Sequence, residues 1–191
     1  MLTSNITQIS VYLILMFPFV IFASDAPLVL EAKNDKPQVI KTTNSFSKGN
    51  ISYGLRMLKE YTSGENAPYA FIGLYQDIPG NSIRLFLAQT HSKSGLIAGY
   101  EYYKKNKLLT RKILINSIPE GASVVFNAIW NKEGIFKISC ITNNVHTVNT
   151  DLTSVKQIIL VSNSKVEFIP NKGLNSLKLK IDEYWHTLKG S

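Results

Sequence analysis

The chain has 191 residues, 45% of them hydrophobic, and carries 21 Lys and Arg against 13 Asp and Glu for a formal charge of +8. That length suits one domain able to bury a core without staples, and the single cysteine, Cys140, excludes an intrachain disulfide. Only Arg56, Arg84 and Arg111 are arginines, which speaks against a reader of nucleic acid built on Arg forks.

Residues 6–23 form an almost unbroken apolar run that gives way at once to Ser24-Asp25. A run of this length ending in a small residue predicts a secretory signal segment over residues 1–23, cut after Ala23. Cutting after Ala26 would place Pro27 next and is disfavoured. No Lys or Arg precedes the run, so an uncleaved anchor through residues 6–23 stays open as the alternative. Against it, a span needs about 20 apolar residues, and Pro18 interrupts this stretch. The chain is read as secreted or periplasmic, with no membrane span once cleaved and no nucleic-acid partner.

Residues 24–50 read as an N-terminal arm, rich in Lys, Asn, Asp, Thr and Ser, with one short β-prone piece at Gln38-Val39-Ile40-Lys41. From Ile51 the pattern has period two, so residues 51–191 read as one β domain. Ile51, Tyr53, Leu55 and Met57 alternate with small or polar residues, and Tyr69–Tyr75 is an apolar run of strand length. Pro79-Gly80-Asn81 turns the chain into Ile83, Leu85 and Leu87, which alternate with Arg84, Phe86 and Ala88. Leu96–Tyr103 follows, then a basic turn at Lys104–Lys107, a β-rich stretch at Leu108–Ile118 and a turn at Pro119-Glu120-Gly121. Val124–Trp130 and Ile135–Thr142 flank Asn131-Lys132-Glu133-Gly134; Val155–Ser162 and Lys165–Ile169 flank Asn163-Ser164. Asn and Gly suit such places because they tolerate positive φ. Leu177–Tyr184 alternates as a closing strand, although Leu174, Leu177, Ile181, Tyr184, Trp185 and Leu188 also mark a helical face. Short strands divided by turn chemistry, with no helix between them, predict an all-β, two-sheet antiparallel sandwich behind the signal segment.

Catalytic constellations are missing from the pattern. Asp182 and Glu183 are adjacent and face opposite ways on a strand. His91, His146 and His186 lie far apart, with neither a Gly-x-Ser-x-Gly elbow nor metal-ligand spacing. Ser92-Lys93-Ser94-Gly95 reads as a loop. No catalytic residue, metal or cofactor is therefore assigned. Cys140 falls on the apolar parity of Phe136–Cys140, which predicts a buried, inert thiol. Asn50-Ile51-Ser52 is a glycosylation sequon, relevant only in a eukaryotic host.

The stretch from Tyr69 to Asp182 resembles the concanavalin A-like (laminin-G-like) lectin and glucanase sandwich. The likeness is carried by the strand–hairpin–strand of residues 125–138 with its Trp130, by Val155–Ser162 with Val166–Phe168, and by Leu179–Tyr184. It implies a jelly roll of two curved sheets with ligands on the concave face or at loop edges. The Glu-x-Asp-x-x-Glu triplet of its glucanases is absent. On Leu96–Tyr103 one parity is apolar, and the other holds Ile97, Gly99, Glu101 and Tyr103. If that second parity lines a binding face, Glu101 and Tyr103 project there, and Arg84 and Asn127 join them from neighbouring strands. A flat ring amid hydrogen-bonding groups suits a sugar. The expected function is an exported, non-catalytic binding module for carbohydrate or an anionic cell-surface component. A protein-interaction, inhibitor or envelope-assembly role stays open, as does a glycoside hydrolase with an unrecognised site.

Overall fold

The computed structural model describes residues 27–42, 44–62, 65–76, 80–89, 95–140 and 144–170. The expected signal segment, the closing strand at Leu177–Tyr184, His91, His186 and most of the Ser92–Gly95 loop lie outside them.

Alternation decides the architecture. On Ser123–Trp130 every second side chain is buried, and Ile135–Cys140 repeats the rhythm. Twelve strands arise this way among the described residues: β1 (Leu28–Ala32), β2 (Gln38–Lys41), β3 (Gly49–Glu60), β4 (Tyr69–Tyr75), β5 (Ser82–Gln89), β6 (Leu96–Lys104), β7 (Lys107–Ile118), β8 (Ser123–Trp130), β9 (Ile135–Cys140), β10 (His146–Asn149), β11 (Lys156–Ser162) and β12 (Ser164–Pro170). They pair into two antiparallel six-stranded sheets, β1-β12-β3-β8-β9-β10 and β2-β11-β4-β5-β6-β7. The two-sheet all-β sandwich read from the sequence is the fold observed.

The inward parities meet in one apolar core, with Leu55, Leu74, Ile83, Leu87, Phe126, Phe136 and Phe168 fully enclosed. Trp130 stacks on Phe136 at 6.2 Å within it, worth about 0.5–1.5 kcal/mol beyond area burial for a good aromatic pair. Cys140 is buried, and burial pushes its thiol up to about 12.

Residues 24–50 do more than precede the sandwich. β1 pairs with β12 and β2 with β11, so this stretch supplies an edge strand to each sheet. Ala32 is buried in the core and Leu28, Leu30 and Ile40 pack against it, so these apolar residues anchor the two edge strands. The turn at Asn163 also differs from a hairpin: it carries the chain from β11 in one sheet to β12 in the other. Asn163 is fully buried at φ 46°. Its Nδ2 donates to Asp35 Oδ1 at 2.6 Å and to the Asn66 carbonyl at 2.7 Å, while its Oδ1 accepts from the Asp35 amide at 2.9 Å. The Glu65 and Asn66 amides also donate to the Asp35 carboxylate. Those hydrogen bonds hold Asp35 well below the usual carboxylate range. Three loops are thus clasped at one corner.

Candidate ligand-binding site

β4, β5, β6 and β7 follow one another in sequence and in space, as a meander that makes up four of the six strands of the second sheet. Antiparallel register brings side chains of one face into rows. One row runs Gly73, Arg84, Glu101, Arg111; the next runs Phe71, Phe86, Gly99, Ile113; a third joins Tyr75, Ser82, Tyr103 and Leu108. All lie on the face turned away from the other sheet, since Leu74, Ile83, Leu85, Tyr100 and Tyr102 occupy the inward parity.

This outer face carries its own small apolar patch. Phe71, Phe86 and Ala88 are buried, with Tyr69, Ile97, Ile158 and Leu160 packed against them. Tyr69 stacks on Phe86 at 6.1 Å, and the Arg111 guanidinium covers Phe86 at 5.0 Å. β4 and β5 are consequently buried on both sides, which explains why Tyr69–Tyr75 reads as a continuous apolar run.

The polar groups sit around that patch. Glu101 is only 4% exposed. It accepts from the Tyr69 hydroxyl at 3.0 Å and faces Arg111 Nε at 3.5 Å. Burial, reinforced by the Glu101 carboxylate, pushes the Tyr69 phenol far above its ordinary value. Burial and then Glu101 also raise the Tyr103 phenol. Arg84, directly opposite Glu101, turns elsewhere: its guanidinium stacks 4.0 Å above the Tyr103 ring and 5.0 Å from the Phe71 ring. Among the described residues it has no ion-pair partner and none accepts a hydrogen bond from it. A stacked guanidinium keeps its in-plane N–H donors free for a ligand.

Of the residues expected to line a site, Arg84, Glu101 and Tyr103 stand together on this face. Asn127 does not join them. It lies on β8 in the other sheet, where it accepts from Ser52 Oγ at 2.7 Å and reaches Ser139 Oγ at 3.4 Å. Sequence parity establishes which face of its own strand a residue shares, not which sheet that strand joins. Tyr69, Phe71, Phe86 and Arg111 were not picked out as site residues. Phe86 shares the parity of Arg84, and that was the one available signal for it.

A second recess, of about 220 Å³, opens where the edge strands β7 and β10 meet, between Lys112, Ile113, Leu114, Cys140, Asn144 and His146. Lys112 Nζ lies 3.0 Å from His146 Nδ1, and burial followed by the Lys112 charge holds that imidazole below its usual range. Among the described residues, no three His, Cys, Asp or Glu converge as a metal-ligand set.

No protein-family model matches the chain, and no curated protein matches it. Solved structures do. The carbohydrate-binding module CBM66 from Bacillus subtilis superposes with a TM-score of 0.53 at 8% identity, over 74% of this chain and 83% of that one. A native glycosidic hydrolase gives 0.52 at 9% identity over 75% and 74%. GH43B of a Bacteroides ovatus xyloglucan locus gives 0.52 at 12% identity, over 74% of this chain and 31% of that one. Identities this low speak for the fold alone, a two-sheet antiparallel β-sandwich.

Proposed function

We propose that the chain is an exported, non-catalytic module that binds carbohydrate, free or on a cell surface, through the outer face of β4–β7. The observation that carries this reading is the Arg84–Tyr103 stack beside Glu101. A sugar ring offers apolar C–H faces and a polar rim. This patch offers the Tyr103 ring and the N–H donors of Arg84 in neighbouring rows, beside a Glu101 that is buried and engaged by Tyr69 and Arg111. The fold shared with a carbohydrate-binding module supports the reading by analogy. A non-catalytic role is supported by the acid count. Glu101 is the only carboxylate on the six strands of this sheet, whereas canonical glycosidic hydrolysis calls for two, roughly 5–9.5 Å apart. Export, to the periplasm or outside the cell, rests on residues 1–23 alone.

The test is a broad glycan array probed with the chain lacking residues 1–23, beside the Arg84→Ala and Tyr103→Ala variants. The expected result is a defined set of glycans bound by the parent and lost in both variants. Retention by both variants, or no glycan bound at high protein concentration, would refute the assignment of this face.

A further inference from the structure

The basic residues look scattered along the sequence, but strand pairing sorts them. The sheet β2-β11-β4-β5-β6-β7 carries seven Lys or Arg side chains on its strands and a single carboxylate, Glu101. The opposite sheet carries four Lys or Arg against three Glu. Of the seven, Lys104 pairs with Asp151 and Lys112 lies beside His146 on the inward parity, whereas Lys41, Arg84, Arg111 and Lys156 share the outer parity that bears the candidate site. Its one carboxylate is already engaged, by Tyr69 and Arg111. Arg84 is left stacked between Phe71 and Tyr103 without an anionic partner among the described residues.

We infer that the ligand of this face is an acidic saccharide, and that Arg84 receives its carboxylate. The inference rests on the carbohydrate reading above. A guanidinium is a planar fork of donors whose geometry matches the two oxygens of a carboxylate, and charge-assisted bonds of this kind are about twice as strong as neutral ones. Stacking on Tyr103 fixes the plane of the fork before the ligand arrives, so less rotamer freedom is lost on binding. The surrounding cations steer an anion toward the face and contribute little selectivity of their own. The carboxylate contact therefore sets specificity, and the general positive field sets the approach.

The experiment titrates the chain lacking residues 1–23 with oligogalacturonate, oligoguluronate and hyaluronan fragments, each beside its methyl-esterified counterpart. Heparin fragments supply a sulfate-rich arm. The expected result is at least tenfold tighter binding of one acid than of its ester. Arg84→Gln should remove that preference by weakening the acid at least tenfold more than the ester, and Arg84→Lys should restore only part of it. Circular dichroism confirms that each variant is folded. Equal affinity for acid and ester overturns the inference and leaves the carbohydrate reading intact, as does binding confined to neutral glycans on the array. Strong binding of heparin fragments that ignores Arg84 also overturns it, because charge alone would then account for attraction. Binding to no saccharide removes both readings together.

Discussion

Replacing Glu101 by Gln tests the electrostatic account of the candidate site most directly. Gln keeps the shape and one acceptor oxygen but removes the charge. The Tyr69 hydroxyl would then bond to a neutral amide rather than a carboxylate, a loss of about 1 kcal/mol from the difference between charged and neutral hydrogen bonds. The Arg111 pair costs less to lose. Its side chain is 45% exposed and its Nε stands 3.5 Å from Glu101, so the guanidinium can turn to water, and such pairs are worth about 0–1 kcal/mol. The sum is a destabilisation of about 1–2 kcal/mol, short of the roughly 3–5 kcal/mol for a fully buried pair broken on one side. Urea unfolding followed by Trp fluorescence measures it, and a thermal melt should fall by about 2–4 °C per kcal/mol for a domain of this size. In a double-mutant cycle with Arg111→Gln, the coupling should stay under about 1 kcal/mol. A loss of 4 kcal/mol or more would mean that Arg111 is trapped dry. A loss below 0.5 kcal/mol would mean that water already satisfies Glu101. Either value refutes the reasoning.

Four further predictions concern the frame of the sandwich. A Cβ on Gly99 would stand 2.1 Å from the Lys112 carbonyl oxygen and 3.0 Å from Ile113 Cα, so Gly99→Ala must push β7 off β6; equilibrium unfolding should show a loss of about 1–3 kcal/mol, as for other overpacked sites. The folded Asp35 carboxyl is depressed by its amide donors, so its stabilisation is complete above the unfolded value of about 4 and is lost as pH falls toward the folded one. The stability gap between the parent and Asp35→Asn should therefore be flat above about pH 5 and close in acid; a gap that widens in acid would reverse the sign. Glu31, pulled down to about 2 by Lys33 and Tyr61, should behave alike in Glu31→Gln. Cys140, with its thiol raised by burial, should resist an aqueous thiol reagent in the native state and yield one thiol per chain in denaturant.

The sandwich was legible through parity: β8 and β9 bury every second side chain, and β3, β5 and β6 keep an apolar alternation in the sequence although β5 and β6 are buried on both sides. β1 and β10 do not announce themselves this way. Each is a short edge strand, and His146–Asn149 fully buries only Val148. β7 hides its role differently. Leu108, Leu109 and Ile113 are about half exposed, so its hydrophobicity reports an edge and not the core. For the site, parity on β6 placed Glu101 and Tyr103 on one face, but no local pattern states which strand lies alongside. Arg84 meets Glu101 through the β5–β6 register. Asn127, of equally suitable chemistry and parity, belongs to the opposite layer because the chain changes sheets between β7 and β8.

That connectivity bears on how the molecule assembles. The four strands that carry Tyr69, Arg84, Glu101 and Arg111 zip to their immediate sequence neighbours, helped by a two-residue reversal at Lys105-Asn106 with both φ angles positive. Closure of the sandwich instead joins opposite ends of the described chain, Leu28 to Phe168 and Lys41 to Ile158. Short loops lose little entropy on closing and long ones more. The β4–β7 meander is thus positioned to nucleate early, while the two leading strands dock late and seal the hydrophobic interior.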